Sequence, residues 1–237
     1  MRSFDPALSP ATSAVVFPLT DPVTLPPRSD TAAVPEHSRL VVHGSNRVAE
    51  AITATLSAAK IDFERDSDSD CCGIEVDDAR LCLTDGRCAD AQGGELALFD
   101  LPLADVRGAA LAWTPAAQAS ADWVDAVPRW LALLGFEPRR MEDAPGLIVA
   151  RTLAMLINEA ADAVQQGVCD TEAADTAMKL GVNYPAGPFE WLRQWPATDV
   201  VDLLERLDDH YRGERYRVSP WLKRAAWNRR QASRRSG

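Results

Sequence analysis

The 237-residue chain is 46% hydrophobic, so it can bury a substantial core and is long enough for one large or two small domains. This composition excludes a wholly disordered protein. The formal net charge of −10 disfavours contact with nucleic acid or an anionic membrane over most of the surface. No apolar stretch approaches the roughly 20 residues that span a bilayer. We therefore expect neither a nucleic acid nor a membrane as a partner.

The first 36 residues contain seven of the sixteen prolines, with Ser, Thr and Ala between them and no sustained apolar period. This composition predicts a flexible, Pro-rich leader over residues 1–36. Asp5 stands early, and Pro18 closely follows the short apolar run Ala14–Val16, which is unlike the apolar segment of a secretory signal. We therefore expect a cytoplasmic protein.

Residues 37–140 have the pattern of an α/β half. Leu40–His43 is predicted as a strand, Arg47–Lys60 as an amphipathic helix and Ile61–Phe63 as a second strand. Together they open a right-handed βαβ unit with parallel strands. The further elements predicted in this half are strands at Arg80–Thr84, Leu96–Phe99 and Ala109–Trp113, and a helix over 117–134 that Pro128 interrupts or delays.

Residues 141–237 are predicted to be all-α. Asp143 is expected to cap a helix that holds Pro145 in its first turn and ends at Gly167. Asp170 or Thr171 is expected to start the next helix. The remaining helices are predicted at 188–194, 197–212 and 219–232.

Gly44–Ala49 stands where a dinucleotide-binding fingerprint would stand, after the first strand and at the start of a helix. Gly44 matches the first glycine, but Asn46 places a side chain where the second glycine lets the backbone approach a pyrophosphate. Asp62 and Glu64 lie short of the position, about 20 residues on, of the acid that binds the ribose. Gly44 and Asn46 are thus the candidate cofactor-binding residues of a degenerate site, and a strand–helix turn without a nucleotide is favoured.

Four of the five cysteines lie close together in the sequence, at Cys71, Cys72, Cys82 and Cys88. An odd number of cysteines in a cytosolic chain indicates reduced thiols rather than a disulfide framework. A zinc site is disfavoured because the spacing lacks paired C-x-x-C knuckles and no histidine is near. We therefore expect no metal.

The end of the chain is basic, with no acid after Glu214. A basic tail from Lys223 onward can contact phosphates of a nucleic acid or of coenzyme A. A solvated helix end is the alternative interpretation, and it is favoured.

Several motifs of the second half agree in order and spacing with one known family. They are Pro145–Arg151, Ile157–Ala160, Ala177–Pro185 and Gly187–Phe189. These motifs closely resemble the C-terminal domain of the 3-hydroxyacyl-CoA dehydrogenases. His210–Arg217 further resembles the terminal repeat of the 3-hydroxyadipyl-CoA dehydrogenases of phenylacetate catabolism. The resemblance is specific over 141–225 and faint over 39–140.

The resemblance implies a Rossmann domain that binds NAD and a helical domain that packs against it and dimerises. It implies fold class α/β for a degenerate Rossmann-like N-terminal half, joined to an all-α C-terminal helical domain. In the family a His–Glu pair, with an asparagine and a serine, acts on the hydroxyacyl-CoA. Asn158 matches the family asparagine, since it stands in the same Asn–Glu dipeptide, and is the candidate catalytic residue. A buried amide satisfied by its neighbours is the alternative interpretation.

The catalytic pair of the family is missing from this sequence. The family histidine lies in a Leu-His-Phe-Phe-Asn-Pro segment, whose best match is Ala110–Pro115, with Leu111 in place of the histidine. The partner glutamate falls near Trp123. Neither side chain accepts a proton from a 3-hydroxyl group. The three histidines present, His37, His43 and His210, lie outside this strand–loop context.

Three functional hypotheses follow. The first is an auxiliary or non-catalytic member of the family, which binds acyl-CoA or a full-length dehydrogenase partner in fatty acid or aromatic acid catabolism. The second is an active NAD-dependent oxidoreductase that converts 3-hydroxyacyl-CoA to 3-oxoacyl-CoA with other residues. The third is a structural oligomerisation module. A homodimer, or a pair with a full-length dehydrogenase, is expected to form through the helical domain.

Overall fold

The computed structural model describes residues 34–103 and 108–236. The predicted leader over residues 1–36 lies outside the described residues except for its last three. The described strands are β1 (Leu40–His43), β2 (Glu64–Asp66), β3 (Gly73–Val76), β4 (Ala79–Leu83), β5 (Leu96–Phe99), β6 (Ala110–Pro115) and β7 (Glu137–Arg140). The described helices are α1 (Arg47–Ala58), α2 (Ala89–Gln92), α3 (Ala121–Leu133), α4 (Val149–Gln165), α5 (Thr171–Val182), α6 (Pro188–Gln194), α7 (Ala197–Tyr211) and α8 (Pro220–Ser236).

The seven strands form one mixed sheet in the order β2-β1-β3-β4-β5-β6-β7. β1 pairs in parallel with β2 across α1, which confirms the predicted βαβ opening. β4 is parallel to β5, and β6 is parallel to β7, whereas β3 is antiparallel to both of its neighbours. The carboxyl ends of β1, β2, β4 and β5 therefore share one edge of the sheet.

The second strand is not at Ile61–Phe63, as predicted, but at Glu64–Asp66. Its side chains are exposed or half-buried because β2 is an edge strand that is held by backbone pairing with β1. An apolar run is therefore no guide to its position. β3 and β7 were not predicted either, since β3 follows a polar loop and β7 carries two arginines.

Helix α3 begins after the N-cap Ser120, whose hydroxyl accepts a hydrogen bond from the Trp123 amide. It continues through Pro128, so the proline neither interrupts nor delays it. Proline lacks one helix hydrogen bond, and we expect burial of Val127 and Trp130 on either side of it to offset this loss.

Helix α4 begins at Val149 rather than near Pro145, and Asp143 does not cap it. The carboxylate of Asp143 accepts hydrogen bonds from the amides of Ala89 and Asp90 and thus caps α2 instead. The prediction failed because the cap of α4 comes from a residue that is distant in the sequence.

Asp100, at the end of β5, is the residue that caps α4. Its side chain is fully buried and accepts hydrogen bonds from the amides of Ile148 (2.9 Å), Val149 (2.7 Å) and Ala150 (2.9 Å). These are amides of the first turn, which have no partner within the helix. The carboxylate charge also lies at the positive end of the helix dipole. Asp100 therefore ties the sheet to the helical half.

The later helices follow their predicted bounds closely. Gly167, with φ +73°, ends α4, and the Asp170 carboxylate caps α5 by accepting a hydrogen bond from the Ala173 amide. One large cluster of buried apolar side chains extends from Leu40 in β1 to Ala226 in α8. The fold class is confirmed: a Rossmann-like mixed sheet with helices is joined to a C-terminal helical domain. The boundary between residues 140 and 141 stays a prediction.

Two cysteines form a disulfide, contrary to the expectation of reduced thiols. Cys71 lies just before β3, and the β3–β4 register places Gly73 opposite Cys82. The Cα atoms of Cys71 and Cys82 are therefore 6.2 Å apart, within disulfide range. Sequence spacing alone does not show this, because the pairing depends on the hairpin.

Candidate functional site

Gly44 forms the turn between β1 and α1. Its φ is +91°, and a Cβ atom there would lie 3.1 Å from the Cys71 carbonyl oxygen and 3.3 Å from Cys72 Cα. Its amide donates to the carbonyl of Asp66 at 2.8 Å. Both the backbone conformation and the available space therefore favour glycine, at the position predicted for the first glycine of a dinucleotide fingerprint.

Asn46 is the N-cap of α1. Its side-chain oxygen accepts hydrogen bonds from the amides of Val48 (3.0 Å) and Ala49 (3.1 Å), and from the Cys72 thiol (3.0 Å). In a dinucleotide site the amides at this helix end face the pyrophosphate. Here the protein's own side chain already satisfies two of them, so a bound phosphate gains little from the helix end.

The helical half places a carboxyl group in the cleft beside the N-terminal end of α1. Asp199, in the first turn of α7, lines the same cleft as Gly44 and Asn46. Burial raises the pKa of Asp199, the Thr198 hydroxyl lowers it, and nearby Asp202 raises it. Glu50, in the first turn of α1, adds a further carboxylate, which pairs with Arg65. The side chains of Asn46 and Asp199 thus stand at the helix end that would face a pyrophosphate, and this arrangement does not fit NAD.

One feature of a nucleotide site was missed in the sequence. Asp66 ends β2, where the acid that contacts the ribose is expected. The misplaced second strand hid it, because the acid is expected at the end of that strand. Its Oδ2 lies 3.1 Å from Nδ1 of His43 and is thus already engaged.

A cleft of about 820 Å³ extends from Gly44 to the end of β4 and to α7. On its wall, Arg87 and Arg206 both bind Oδ2 of Asp85, at 2.5 and 2.9 Å. The buried Thr84 hydroxyl beside them has no hydrogen-bond partner among the described residues. The cleft lies outside the carboxyl ends of parallel strands, which is the usual ligand position in open α/β sheets. Among the described residues, no group of three or more metal-ligating side chains converges on it or elsewhere.

Buried apolar side chains occupy the two positions where the catalytic His–Glu pair of the family is expected. Leu111, in β6, is 3% exposed, and Trp123, in α3, is 5% exposed. Both belong to the main hydrophobic cluster. No proton acceptor therefore stands at either position.

The histidines are elsewhere. His37 packs edge-on against Trp130, His43 lies in β1, and His210 packs edge-on against Tyr211 at the end of α7. None of them lies in β6 or in the loop that follows it. They therefore provide no substitute for the missing base at that position.

Asn158 is buried in the middle of α4, with 2% of its surface exposed. Its amide nitrogen donates to the carbonyl of Arg217 (3.0 Å), and its oxygen accepts from the amide of Ser219 (2.8 Å). The side-chain amide of Asn158 therefore links α4 to the segment that precedes α8. This agrees with the alternative interpretation of Asn158 as a buried amide that is satisfied by its neighbours. Contact between Asn158 and an acyl-CoA stays a prediction.

Asn158→Ala is expected to lower the free energy of unfolding by about 2–3 kcal/mol, because the buried Ser219 amide and the part-buried Arg217 carbonyl lose their partner. The exposed neighbour Glu159 supplies the control, and Glu159→Ala should change the stability by less than about 0.5 kcal/mol. Urea unfolding of both variants measures these differences. An Asn158→Ala variant as stable as the wild type would contradict the structural role.

Comparison with known proteins identifies relatives of both halves. Two family models match adjacent parts of the chain: the 3-hydroxybutyryl-CoA dehydrogenase reduced Rossmann-fold domain over residues 81–145, and the 3-hydroxyacyl-CoA dehydrogenase C-terminal domain over residues 146–237. The chain is 35% identical to 3-hydroxyadipyl-CoA dehydrogenase of Escherichia coli K12 over 177 residues, which are 75% of this chain and 36% of that protein. It is 48% identical to human mitochondrial hydroxyacyl-coenzyme A dehydrogenase over 59 residues, which are 25% of this chain and 19% of that protein.

A solved structure of a 3-hydroxyacyl-CoA dehydrogenase relative is also similar to this chain. The crystal structure of 3-hydroxybutyryl-CoA dehydrogenase from Escherichia coli K12 matches with a TM-score of 0.61 and 35% identity, over 65% of this chain and 33% of that chain. The chain thus spans about a third of the length of these two Escherichia coli relatives. Because the two family models together cover residues 81–237 without a gap, the chain belongs to the 3-hydroxyacyl-CoA dehydrogenase family over that range.

Proposed function

We propose that this protein is an auxiliary, non-catalytic member of its family, which binds acyl-CoA or a full-length dehydrogenase partner in fatty acid or aromatic acid catabolism. The single observation that supports this most strongly is the burial of Leu111 and Trp123 in the core, where the family has its proton acceptor and the partner of that acceptor. Oxidation of a 3-hydroxyl group requires a base that takes the hydroxyl proton before hydride leaves. We place this function in the cytoplasm.

The family is NAD-dependent and has a Rossmann-fold domain, but in this chain Asn46 caps the helix end and Asp199 adds a carboxyl group there. We therefore propose that NAD binds weakly or not at all. The positions of Gly44 and Asp66 favour the alternative, an active oxidoreductase with other catalytic residues, and the same experiment distinguishes the two.

Thermal denaturation with added ligands tests the proposed function. A ligand at about 100 times its Kd stabilises the folded state by about 2.7 kcal/mol and raises Tm by several degrees. We expect such a rise with 3-hydroxybutyryl-CoA and no rise with millimolar NAD. Free coenzyme A and 3-hydroxybutyrate, added separately, show which part of the ligand is bound. A rise with NAD supports the oxidoreductase instead, and no rise with either ligand supports a structural module.

Helix α5 provides the surface through which we propose that two copies associate. Only Ala174 and Asp175 of its residues are buried. The outward face, formed by Ala173, Thr176, Ala177 and Leu180, carries no charge, and Leu180 is 82% exposed. Two copies with a net charge of −10 repel each other over most orientations. An uncharged face is self-complementary, as a twofold dimer requires.

Leu180→Lys is expected to convert a homodimer to a monomer, because it places two ammonium groups opposite each other in an apolar contact. Val168 is 73% exposed and lies outside α5, so Val168→Lys is the matched control and should remain dimeric. Light scattering during size-exclusion chromatography measures both masses. A monomeric wild type, or a Leu180→Lys variant that stays dimeric, would rule out this interface.

A further inference from the structure

The disulfide between Cys71 and Cys82 lies in the wall of the large cleft, close to the Gly44 turn. Both cysteines line the cleft, and so do Gly44 and Asn46. The backbone of Cys71 and Cys72 packs directly against Gly44, within 3.1–3.3 Å of the position of a Cβ atom there. The bond therefore connects the end of the β2–β3 loop to β4, at the place where the loop contacts the fingerprint turn.

We propose that Cys71 and Cys82 form a redox-active dithiol–disulfide site that exchanges with a low-molecular-weight thiol–disulfide couple of the glutathione type. The oxidised pair fastens the loop 67–71 against the Gly44 turn, and reduction releases that loop. This site is independent of the proposed acyl-CoA function. In a cytoplasmic protein a disulfide is most often transient or redox-sensing, which agrees with a bond that opens and closes.

The two cysteine residues differ in exposure, and from this difference we infer where exchange begins. Cys82 is 7% exposed and packs among buried residues that include Ala89 and Leu98, whereas Cys71 is half-buried at the edge of this cluster. A small thiolate therefore reaches the sulfur of Cys71 first. Its attack forms a mixed disulfide on Cys71, breaks the Cys71–Cys82 bond and leaves Cys82 as a thiolate that takes up a proton. A second thiol molecule then attacks the mixed disulfide, releasing the Cys71 thiol and one oxidised small-molecule disulfide.

The neighbouring thiols are poorly suited to compete in this exchange. Burial raises the pKa of Cys72 to about 11, and its thiol is held by the side-chain oxygen of Asn46. Burial, then the charges of Asp143 and Asp90, raises the pKa of Cys88. Only the thiolate is a good nucleophile, so both groups react slowly at neutral pH.

The contacts of Cys72 limit how much of the loop is released. Its carbonyl accepts a hydrogen bond from the Leu83 amide at 2.7 Å, and its thiol donates to the side-chain oxygen of Asn46, so neither contact involves the disulfide itself. Reduction therefore frees the chain before Cys72 while β3 keeps its register. We expect faster amide hydrogen exchange in residues 67–71 of the reduced protein and unchanged exchange in β3.

Single cysteine variants test the order of exchange. Cys82→Ser and Cys71→Ser are incubated with oxidised glutathione, with Cys169→Ser as the control for a cysteine outside the cleft, and the modified residue is located by mass spectrometry. We expect one glutathione on Cys71 in the Cys82→Ser variant, none on Cys82 in the Cys71→Ser variant, and an intact Cys71–Cys82 bond in Cys169→Ser. Modification of neither cysteine, or of both at equal rates, would overturn the proposal.

Wild-type protein provides a second test that needs no variant. After reduction with dithiothreitol, brief alkylation should label Cys71 several-fold faster than Cys82, and oxidised glutathione should restore the bond. Hydrogen exchange of residues 67–71 should differ between the two forms. Five free thiols in protein purified without reductant and then treated with oxidised glutathione, or identical exchange in both forms, would refute a redox-active site.

Discussion

Asp100→Ala is expected to lower the free energy of unfolding by about 3–5 kcal/mol, the largest loss from any single side chain considered. The carboxylate is fully buried, and its two oxygens accept four amide hydrogen bonds, including one from Leu101. Alanine leaves these four amides without their partner, those of Leu101 and Ala150 in buried positions, and removes the negative charge at the start of α4. Urea unfolding, followed by far-UV circular dichroism, measures the loss.

Asp143→Ala is the control for Asp100→Ala. Asp143 also caps a helix with its carboxylate, but α2 has only four residues and Asp143 is half-buried. We expect a loss of about 0.5–2 kcal/mol, the ordinary value of an N-cap. Equal losses in the two variants would show that Asp100 is not the connection between the sheet and the helical half.

Gly187→Ala is the second substitution with a large expected effect. A Cβ atom at Gly187 would lie closer than 3.0 Å to both Cα and Oδ1 of Asp175. Asp175 is 5% exposed and accepts the Phe189 amide hydrogen bond at 2.7 Å, so it has no room to move. Separating α5 from α6 is expected to cost at least about 3 kcal/mol, at the upper end for overpacked sites.

Gly213→Ala is the control for Gly187→Ala, because it shows whether replacing a glycine by alanine destabilises this protein in the absence of a steric clash. Gly213 has extended backbone, and nothing lies within 4 Å of the Cβ position. Its replacement should change the stability by less than about 0.5 kcal/mol. Thermal unfolding of both variants gives the comparison, and a Gly187→Ala variant with the wild-type Tm would contradict the close packing of α5 and α6.

Local signals explain which parts of the fold were predictable. The bounds of α5 follow from Asp170, which caps it, and from Gly167, which ends the helix before it. The start of α4 was not predictable, because Asp100 lies far away in the sequence and comes to α4 only through the sheet. β2 was misplaced because an edge strand needs no apolar residues.

In the candidate site, too, local contacts were predictable from the sequence and contacts between distant elements were not. The pattern around Gly44 correctly placed a turn between a strand and a helix, and the sequence also indicated that Asn46 places a side chain at the start of that helix. Its capping contact with Ala49 is local and agrees with the sequence position. Contributions from Cys72 and Asp199 come from other elements, and no sequence spacing relates them to the turn.

The most direct test of the account is a spectrophotometric assay of the purified chain with 3-hydroxybutyryl-CoA and NAD, in which NADH formation is followed at neutral and alkaline pH. Because no proton acceptor stands at the position of Leu111, we expect no NADH above the level of a heat-denatured sample. Addition of a full-length dehydrogenase of the family provides the positive control for the substrate. Steady NADH formation that scales with the concentration of this chain alone would contradict the account.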